Sequence, residues 1–150
     1  MPQLTQNKRA YYDYNILQKY EAGLVLTGPE VKSAKQGQVV LQGAYLIPKG
    51  SELWLTGCSI APYSPARGVQ EGYDARRDRK LLLKASELQY LLGKMREPGL
   101  TLVPLSLYTS HRFIKLEFAL ARGKTKYDKR TAIRKREVAR EIRSSLTRHH

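Results

Sequence analysis

The segment LTLVPLSLYTSHRFIKLEFALA, residues 100–121, decides the fold class. Apolar and polar side chains alternate along residues 113–121, and a period of two is typical of a strand with one buried face. Residues 100–108 form the predicted partner strand, and the polar run Ser110-His111-Arg112 predicts the connecting turn. Pro104 restricts its strand to a sheet edge or a bulge, because proline lacks the N–H that a central strand donates. The segment therefore predicts an antiparallel hairpin.

Shorter apolar runs on the N-terminal side predict further strands. Residues 12–20 alternate with a period of two, and the run at 24–26 continues as a second short strand. Residues 44–47 and 53–55 flank the Pro-Lys-Gly sequence at 48–50, which predicts another hairpin.

Two short helices interrupt these strands. The sequence T-G-P-E at 27–30 predicts a helix start with a capping box, and Gly37 predicts its end. The sequence S-E-L-Q at 86–89 predicts a second capping box, and Pro98-Gly99 the end of that helix. The apolar positions of this second helix recur at i, i+3, i+4 and i+7: Leu88, Leu91, Leu92 and Met95.

This order of elements indicates a mainly β chain. Many short strands with two short helices favour a small closed antiparallel barrel of about six strands, similar to an OB-fold, over a doubly wound sheet. The barrel is expected to occupy residues 1–125. Residues 61–78, with two prolines and two glycines, predict a long surface loop.

The charge of the chain is strongly positive and unevenly distributed. Among 150 residues, 27 Lys and Arg oppose 13 Asp and Glu, which gives a net charge of +14. Residues 122–150 carry 11 basic and 3 acidic side chains, so this segment holds +8 of the total. Such a surplus favours a polyanionic partner, above all nucleic acid. The segment 126–150 has few apolar positions, so it is either a solvated extension or a segment that orders only against a polyanion.

The sequence argues against several other classes of protein. It lacks a run of about 18 apolar residues, so we expect no membrane partner. It also lacks an apolar N-terminal segment, so we expect no secretion and a cytoplasmic location. The lone Cys58 excludes an intrachain disulfide and a zinc site with paired thiolates. Gly123-Lys124-Thr125 lacks the earlier glycine of a P-loop. No local spacing gives His111 both an orienting partner and a nucleophile, and the acids are scattered singly. We therefore expect no enzyme activity, metal, cofactor or small-molecule substrate.

Composition does not separate an RNA-binding adaptor from a ribosomal or assembly protein that docks on rRNA. A nuclease is the third hypothesis, although no pair of carboxylates for such a site stands out. Tyrosine accounts for ten residues and can stack on RNA bases, although each tyrosine can equally pack in the core. Tyr11, Tyr12 and Tyr127 border basic runs and are the better candidates for exposure.

An ordered series of motifs separates these alternatives. The series consists of N-K-R-A at 7–10, E-A-G at 21–23, L-T-G-P-E-V-K-S at 26–33, R-K-L-L-L at 79–83, G-L-T-L-V-P-L at 99–105 and Y-D-K-R at 127–130. In this order and spacing it resembles the SsrA-binding protein family, SmpB, the bacterial partner of tmRNA. The resemblance covers about residues 7–143.

The resemblance implies a function as well as a fold. It implies a six-stranded OB-like barrel and rescue of stalled ribosomes by trans-translation. The family binds the tRNA-like domain of tmRNA, delivers it to the empty decoding site and replaces the missing anticodon arm. Its basic tail, here 126–150, is disordered when free and becomes helical in the vacant mRNA channel, against ribosomal RNA. The resemblance also implies that the protein is a monomer, that one copy binds each tmRNA and that it has no catalytic activity of its own.

Individual residues carry over by motif position. Asn7, Glu21 and Leu82 match the tmRNA-binding surface of the family. The other expected tmRNA-binding residues are basic, and each either meets a phosphate or is a solvated surface charge: Lys8, Arg9, Lys32, Arg79, Lys80, Lys115, Arg122 and Lys124. The expected ribosome-binding residues are Tyr127, Asp128, Lys129, Arg130, Arg134, Lys135 and Arg136. Residues that depart from the family pattern are Tyr11, Tyr12, Thr125 and Val138.

Overall fold

The computed structural model describes residues 3–63 and 72–124. The predicted basic tail and all its candidate ribosome-binding residues lie outside the described residues. The elements in chain order are β1 Gln3–Gln6, α1 Lys8–Asp13, β2 Tyr14–Leu24, α2 Gly28–Lys35, β3 Val39–Val40, β4 Tyr45–Lys49, β5 Glu52–Thr56, β6 Ser59–Ile60, β7 Arg79–Leu82, α3 Ala85–Lys94, β8 Leu100–Ser110 and β9 Phe113–Gly123.

The hairpin predicted from residues 100–121 is confirmed. β8 and β9 pair antiparallel from Leu100 opposite Arg122 to Ser110 opposite Phe113. His111, in the turn, has a φ of +56°. The register shifts between Pro104 and Ser106, so proline sits at a bulge in a strand that has neighbours on both sides.

Seven strands form one antiparallel sheet in the order β1-β8-β9-β2-β7-β5-β4, and β3 pairs with β6 separately. The prediction of a mainly β chain with short helices is confirmed. β4 contacts β8, and β1 contacts β3. Among the described strands, the hydrogen-bonded order does not join β4 to β1. Closure of a barrel therefore stays a prediction.

The N-terminal strand prediction was wrong in its first part. Residues 12 and 13 end α1, and β2 begins at Tyr14. Tertiary packing favours the helix, since Ala10 is buried against Val103 and Leu105 of β8. The polar β1 carries no alternating signal and is held by pairing with β8, for example Thr5 opposite Leu107.

The helix predictions had different outcomes. The α2 capping box is present: the backbone N–H of Thr27 donates to Glu30 at 2.9 Å, and Glu30 N–H donates to the Thr27 hydroxyl at 3.3 Å. The capping box at Ser86 was wrong, because α3 begins at Ala85 after Lys84, which makes no side-chain cap bond. The apolar stripe of α3 does pack against the core, as predicted.

The core lies on the inner face of the large sheet, and this decides which side chains face outward. Ala22, Leu81 and Leu116 point into the core from β2, β7 and β9. Their immediate neighbours along each strand therefore point to the opposite face. In the part of the chain that the structure describes, no helix is long and apolar enough to cross a membrane.

Candidate nucleic-acid interface

The four residues of β7 alternate between the core and the surface. Arg79 and Leu81 are buried, Lys80 is half-buried and Leu82 is exposed. Successive side chains of a strand point to opposite faces, so the two adjacent cations of R-K-L-L lie on different sides of β7. The arginine points into the core and the lysine points outward.

Arg79 is a correction to the predicted phosphate contacts. Its guanidinium donates to Glu30 Oε2 from Nε at 3.1 Å and from Nη2 at 2.7 Å, and both side chains are buried. It also donates to the Tyr73 hydroxyl and the Ala75 carbonyl, both at 2.9 Å. These bonds, together with complete burial, leave no surface for an RNA phosphate. Arg79 instead fixes β7 against α2.

Glu30 is the centre of this buried network, which the sequence analysis did not predict. Burial opposes ionisation of Glu30, but hydrogen bonds from Arg77, the Thr27 backbone and Arg79 outweigh it and lower the carboxyl pKa to about 2. Arg77 donates from Nε to Glu30 Oε2 at 3.2 Å. The sequence predicted only that Glu30 caps α2, and that cap uses one of its two carboxylate oxygens.

Four of the predicted tmRNA-binding residues come together on the outer face of β9, β2 and β7. The register places Lys115 opposite Gly23 and Gly23 opposite Leu82, so the three form one row across the strands. Glu21 lies two residues along β2 from Gly23, and Lys115 Nζ is 3.9 Å from Glu21 Oε2. Lys80 lies beside Leu82 on the same side of β7. We call Glu21, Gly23, Lys80, Leu82 and Lys115 the central face.

The central face combines cations, one carboxylate and an exposed apolar side chain. Leu82 is 55% exposed, which is unusual for leucine in a strand and shows that this side chain does not pack in the core. Lys80 forms an ion pair with Glu52, and Glu21 lies directly opposite Glu117. A surface that mixes cations, a carboxylate and an apolar side chain can recognise the shape of a folded polyanion, whereas positive charge alone attracts any polyanion.

A second group of predicted residues lies at the other end of β2 and β9, around α1. Arg122 is opposite Asn15, and the Lys124 backbone N–H donates to the Asp13 carbonyl at 2.9 Å. Lys124 Nζ donates to the Tyr11 carbonyl at 3.2 Å. Because Arg122 lies seven residues beyond Lys115 along β9, this group lies about 23 Å from the central face along the strands. We call the group Asn7, Lys8, Arg9, Arg122 and Lys124 the α1 end.

Arg9 and its neighbours form the most solvent-exposed part of the α1 end. Arg9 Nε lies 3.2 Å from Asp13 Oδ2, and the guanidinium carbon lies 5.0 Å from the centre of the Tyr12 ring. Tyr11 is also exposed, as predicted. The arrangement offers cationic and aromatic faces together to a nucleic acid.

Asn7 is more buried than a surface contact requires. It is 7% exposed, its backbone N–H donates to the Leu105 carbonyl at 2.7 Å, and its amide Nδ2 donates to the Pro104 carbonyl at 3.0 Å. Within the described residues its Oδ1 has no partner, and it borders a groove of about 340 Å³. Asn7 therefore ties α1 to β8, and because its Oδ1 is buried as well, its side chain acts here as an anchor of the fold and not as a surface contact.

Lys32 stands apart from both groups. It lies on α2, with Nζ 5.6 Å from the centre of the Tyr63 ring. No member of the central face or of the α1 end lies on α2, so Lys32 belongs to neither group.

The described residues show no constellation for metal binding. No group of three or more His, Cys, Asp or Glu in the ranges 3–63 and 72–124 could hold a metal ion. Cys58 is fully buried, and this burial raises the pKa of its thiol to about 11, so it behaves as the small apolar residue that the sequence predicted.

Comparison with known proteins adds an independent line of evidence. The family model SmpB protein matches residues 4–148. The SsrA-binding protein of Sulfurihydrogenibium sp. (strain YO3AOP1) is 49% identical over 140 residues, which cover 93% of this chain and 91% of that protein. The SsrA-binding protein of Acidothermus cellulolyticus is 49% identical over 145 residues, which cover 97% of this chain and 90% of that protein.

A solved structure agrees with these relatives. A chain of the structure described as "tmRNA-SmpB: a journey to the center of the bacterial ribosome" matches with a TM-score of 0.66 and 45% sequence identity. The match covers 87% of this chain and 94% of that chain. The chain described above therefore belongs to the SmpB protein family.

Proposed function

We propose that this protein is an RNA-binding adaptor that binds tmRNA and accompanies it to the ribosome. The family relationship supports this function, because the relatives are named for SsrA binding and the matching structure for tmRNA-SmpB and the ribosome. The observation on this chain that carries the proposal is the central face, where exposed Leu82 lies beside Lys80, Lys115 and Glu21.

The central face is proposed to bind the tRNA-like domain of tmRNA. Lys80 and Lys115 would neutralise phosphates, and Leu82 would pack against a base or a ribose. Glu21 would accept hydrogen bonds from base amino groups, which adds selectivity that a purely basic surface lacks. Together these contacts are proposed to position the barrel where an anticodon arm would otherwise lie.

The α1 end is proposed as a second phosphate-binding surface on the same strands. Lys8 and Arg9 lie on α1, which Asn7 anchors to β8, and Arg122 and Lys124 lie at the adjoining end of β9. Two basic groups about 23 Å apart can contact separate parts of a folded RNA and fix its orientation.

The basic segment 126–150 is proposed to engage the ribosome. Its density of positive charge suits an RNA-lined channel, and we propose that it enters the vacant mRNA channel and becomes helical there. In this scheme the expected ribosome-binding residues act in 127–136, the barrel acts on tmRNA, and neither part performs catalysis.

We also propose that the large sheet closes into the OB-like barrel of the resemblance. β4, at one end of the hydrogen-bonded order, contacts β8, and β1 at the other end contacts β3. These contacts support a closed wall around the core, with the central face on its outside.

Purification of the protein from its own cells tests the proposed function. An adaptor should bring down one RNA of tmRNA size, and sequencing should identify it. A ribosomal or assembly protein would instead remain on salt-washed ribosomal subunits, and that result would contradict the proposal. Degradation of the bound RNA by the pure protein, abolished by EDTA, would favour a nuclease and also contradict it.

A further inference from the structure

The outer side of β9, β2 and β7 carries a second row of residues next to the row of Lys115, Gly23 and Leu82. The backbone N–H of Val25 donates to the Lys80 carbonyl at 3.0 Å, which continues the pairing of β2 with β7. The antiparallel register of β2 and β9 brings Phe113 level with Val25, two residues beyond the pair of Gly23 and Lys115. The second row is therefore Phe113, Val25 and Lys80.

The apolar members of these two rows lie on a diagonal. Phe113 is 69% exposed, Val25 is 45% exposed and Leu82 is 55% exposed. Lys115 and Lys80 occupy the two remaining corners. Gly23 contributes no side chain to the middle, and Leu82 lies close over it, 3.6 Å from the position that a Cβ would take. Phe113, Val25 and Leu82 therefore form an apolar strip about 12 Å long, with Lys115 on one side and Lys80 on the other.

The hairpin geometry explains why Phe113 is exposed. A turn of two residues, His111 and Arg112, separates Ser110 from Phe113, which are paired across the strands. The alternation of β9 buries Ile114 and turns Phe113 and Lys115 outward. A large aromatic side chain held outward on a rigid strand marks a contact surface rather than a core position.

The two lysines indicate what kind of partner covers the strip. A nucleobase offers a flat apolar face with phosphates on either side, and exposed aromatic rings between cations are the usual arrangement for binding unpaired bases. Lys115 and Lys80 each have an acidic neighbour, Glu21 and Glu52, at the surface. Replacing such an exposed ion pair by a phosphate contact costs little, because solvent-exposed ion pairs contribute little to stability.

We propose that the strip formed by Phe113, Val25 and Leu82 is a stacking surface for an unpaired nucleobase of tmRNA, with Phe113 as its aromatic platform. The proposal rests on the proposed tmRNA binding and extends the central face by two residues, Phe113 and Val25. Phe113 would supply affinity for an unpaired base without contacting phosphate.

Binding of the tRNA-like domain of tmRNA, transcribed from the genome that encodes this chain, tests the proposal. Phe113→Ala should weaken binding about 5- to 100-fold, as expected for loss of one stacked base. Phe113→Trp should bind within about twofold of the wild type, because it keeps a stacking ring. Val40→Ala, at an exposed apolar position on β3 outside the strip, is the control and should leave affinity unchanged.

Two further measurements separate stacking from a structural effect. The slope of log affinity against log salt should be unchanged in Phe113→Ala and should fall by about one in Lys115→Gln, since only the lysine meets a phosphate. In a Trp54→Phe background, the fluorescence of the Phe113→Trp variant should be quenched when the RNA binds. Phe113→Ala should also keep the thermal unfolding midpoint of the wild type.

The outcomes are distinguishable from failure of the proposed function. If Phe113→Ala binds the domain with wild-type affinity, the stacking surface is refuted while tmRNA binding stands. Equal weakening toward a fully paired RNA of the same length would also overturn it, because a duplex offers no unpaired base. If the wild-type chain does not bind the domain at all, the proposed function fails and the stacking surface fails with it.

Discussion

Arg79 and Glu30 form a buried ion pair that joins β7 to α2, with Nη2 2.7 Å from Oε2 and both side chains at most 1% exposed. The pair shares Glu30 with Arg77 and with the cap of α2. Lys80, the next residue, points to the outer face. One strand therefore holds a structural cation and a surface cation side by side, and they should respond differently to mutation.

Glu30→Gln should destabilise the protein by about 3–5 kcal/mol, because it leaves two arginines without their carboxylate in or near the core. Urea unfolding followed by circular dichroism measures the change. Glu52→Gln is the matched control, since it removes the half-exposed partner of Lys80 and should cost less than about 1 kcal/mol. Equal stability of the two variants would contradict the assigned role of Glu30.

The stability of the wild type should fall as the pH drops from about 4.5 toward 2. The pKa of folded Glu30 is about 2, below its ordinary value of 4.5, so the unfolded chain takes up this proton first. The stabilisation is fully present above the unfolded pKa and is lost as the pH falls through the folded value. Glu30→Gln should lack this part of the pH dependence, and identical acid profiles for the two proteins would refute it.

The strands that alternate clearly were predictable from the sequence. The β8–β9 hairpin, the β4–β5 hairpin and the α2 capping box were predicted because local pattern and tertiary packing agree there. α1 was missed because Ala10 gains its burial from Val103 and Leu105, which lie far along the chain. Ser86 failed as a cap because α3 already begins at Ala85, so Ser86 lies within the first turn.

The candidate site was predicted only in part. Glu21, Lys80, Leu82 and Lys115 do lie on one face, but their motifs, not their chemistry, singled out Glu21 and Leu82. Arg79 was wrongly placed at the surface because adjacent cations in R-K-L-L-L look alike until strand parity is assigned. Phe113 and Val25 were missed, although the alternation of 113, 115 and 117 already places Phe113 on the outward side.

Cys58 should be unreactive toward thiol reagents in the folded protein. The side chain is fully buried, and burial raises its pKa to about 11, so roughly one thiol in a thousand is ionised at pH 8 in the folded protein. The rate of reaction with a disulfide reagent should rise steeply in urea, in parallel with unfolding. Rapid labelling in native buffer would contradict the burial of Cys58.

Lys80→Gln should weaken binding of the tRNA-like domain and lower the salt slope by about one, because one phosphate contact is lost. The fold should be unaffected, since Lys80 is half-exposed. Lys35→Gln, at an exposed position on α2, is the control with the same change of charge. An equal loss of affinity in the two variants would contradict a phosphate contact at Lys80, because binding would then depend on the net charge alone.

Removal of residues 126–150 should spare binding to isolated tmRNA and abolish peptide tagging on stalled ribosomes. The reason is the change of pattern after Lys124, where dense positive charge follows the last strand. A gel-shift assay and an in vitro tagging assay measure the two activities. Loss of tmRNA binding in the truncated protein would contradict the division between barrel and tail.

Mapping the RNA on the protein surface by NMR tests the central claim most directly. The tRNA-like domain of tmRNA would be titrated into ¹⁵N-labelled and methyl-labelled protein, and chemical-shift changes followed residue by residue. We predict the largest changes at Glu21, Gly23, Lys80, Leu82 and Lys115, with small changes at the exposed Val40 of β3. Changes that avoid the outer face of β9, β2 and β7 while binding remains tight would contradict the account.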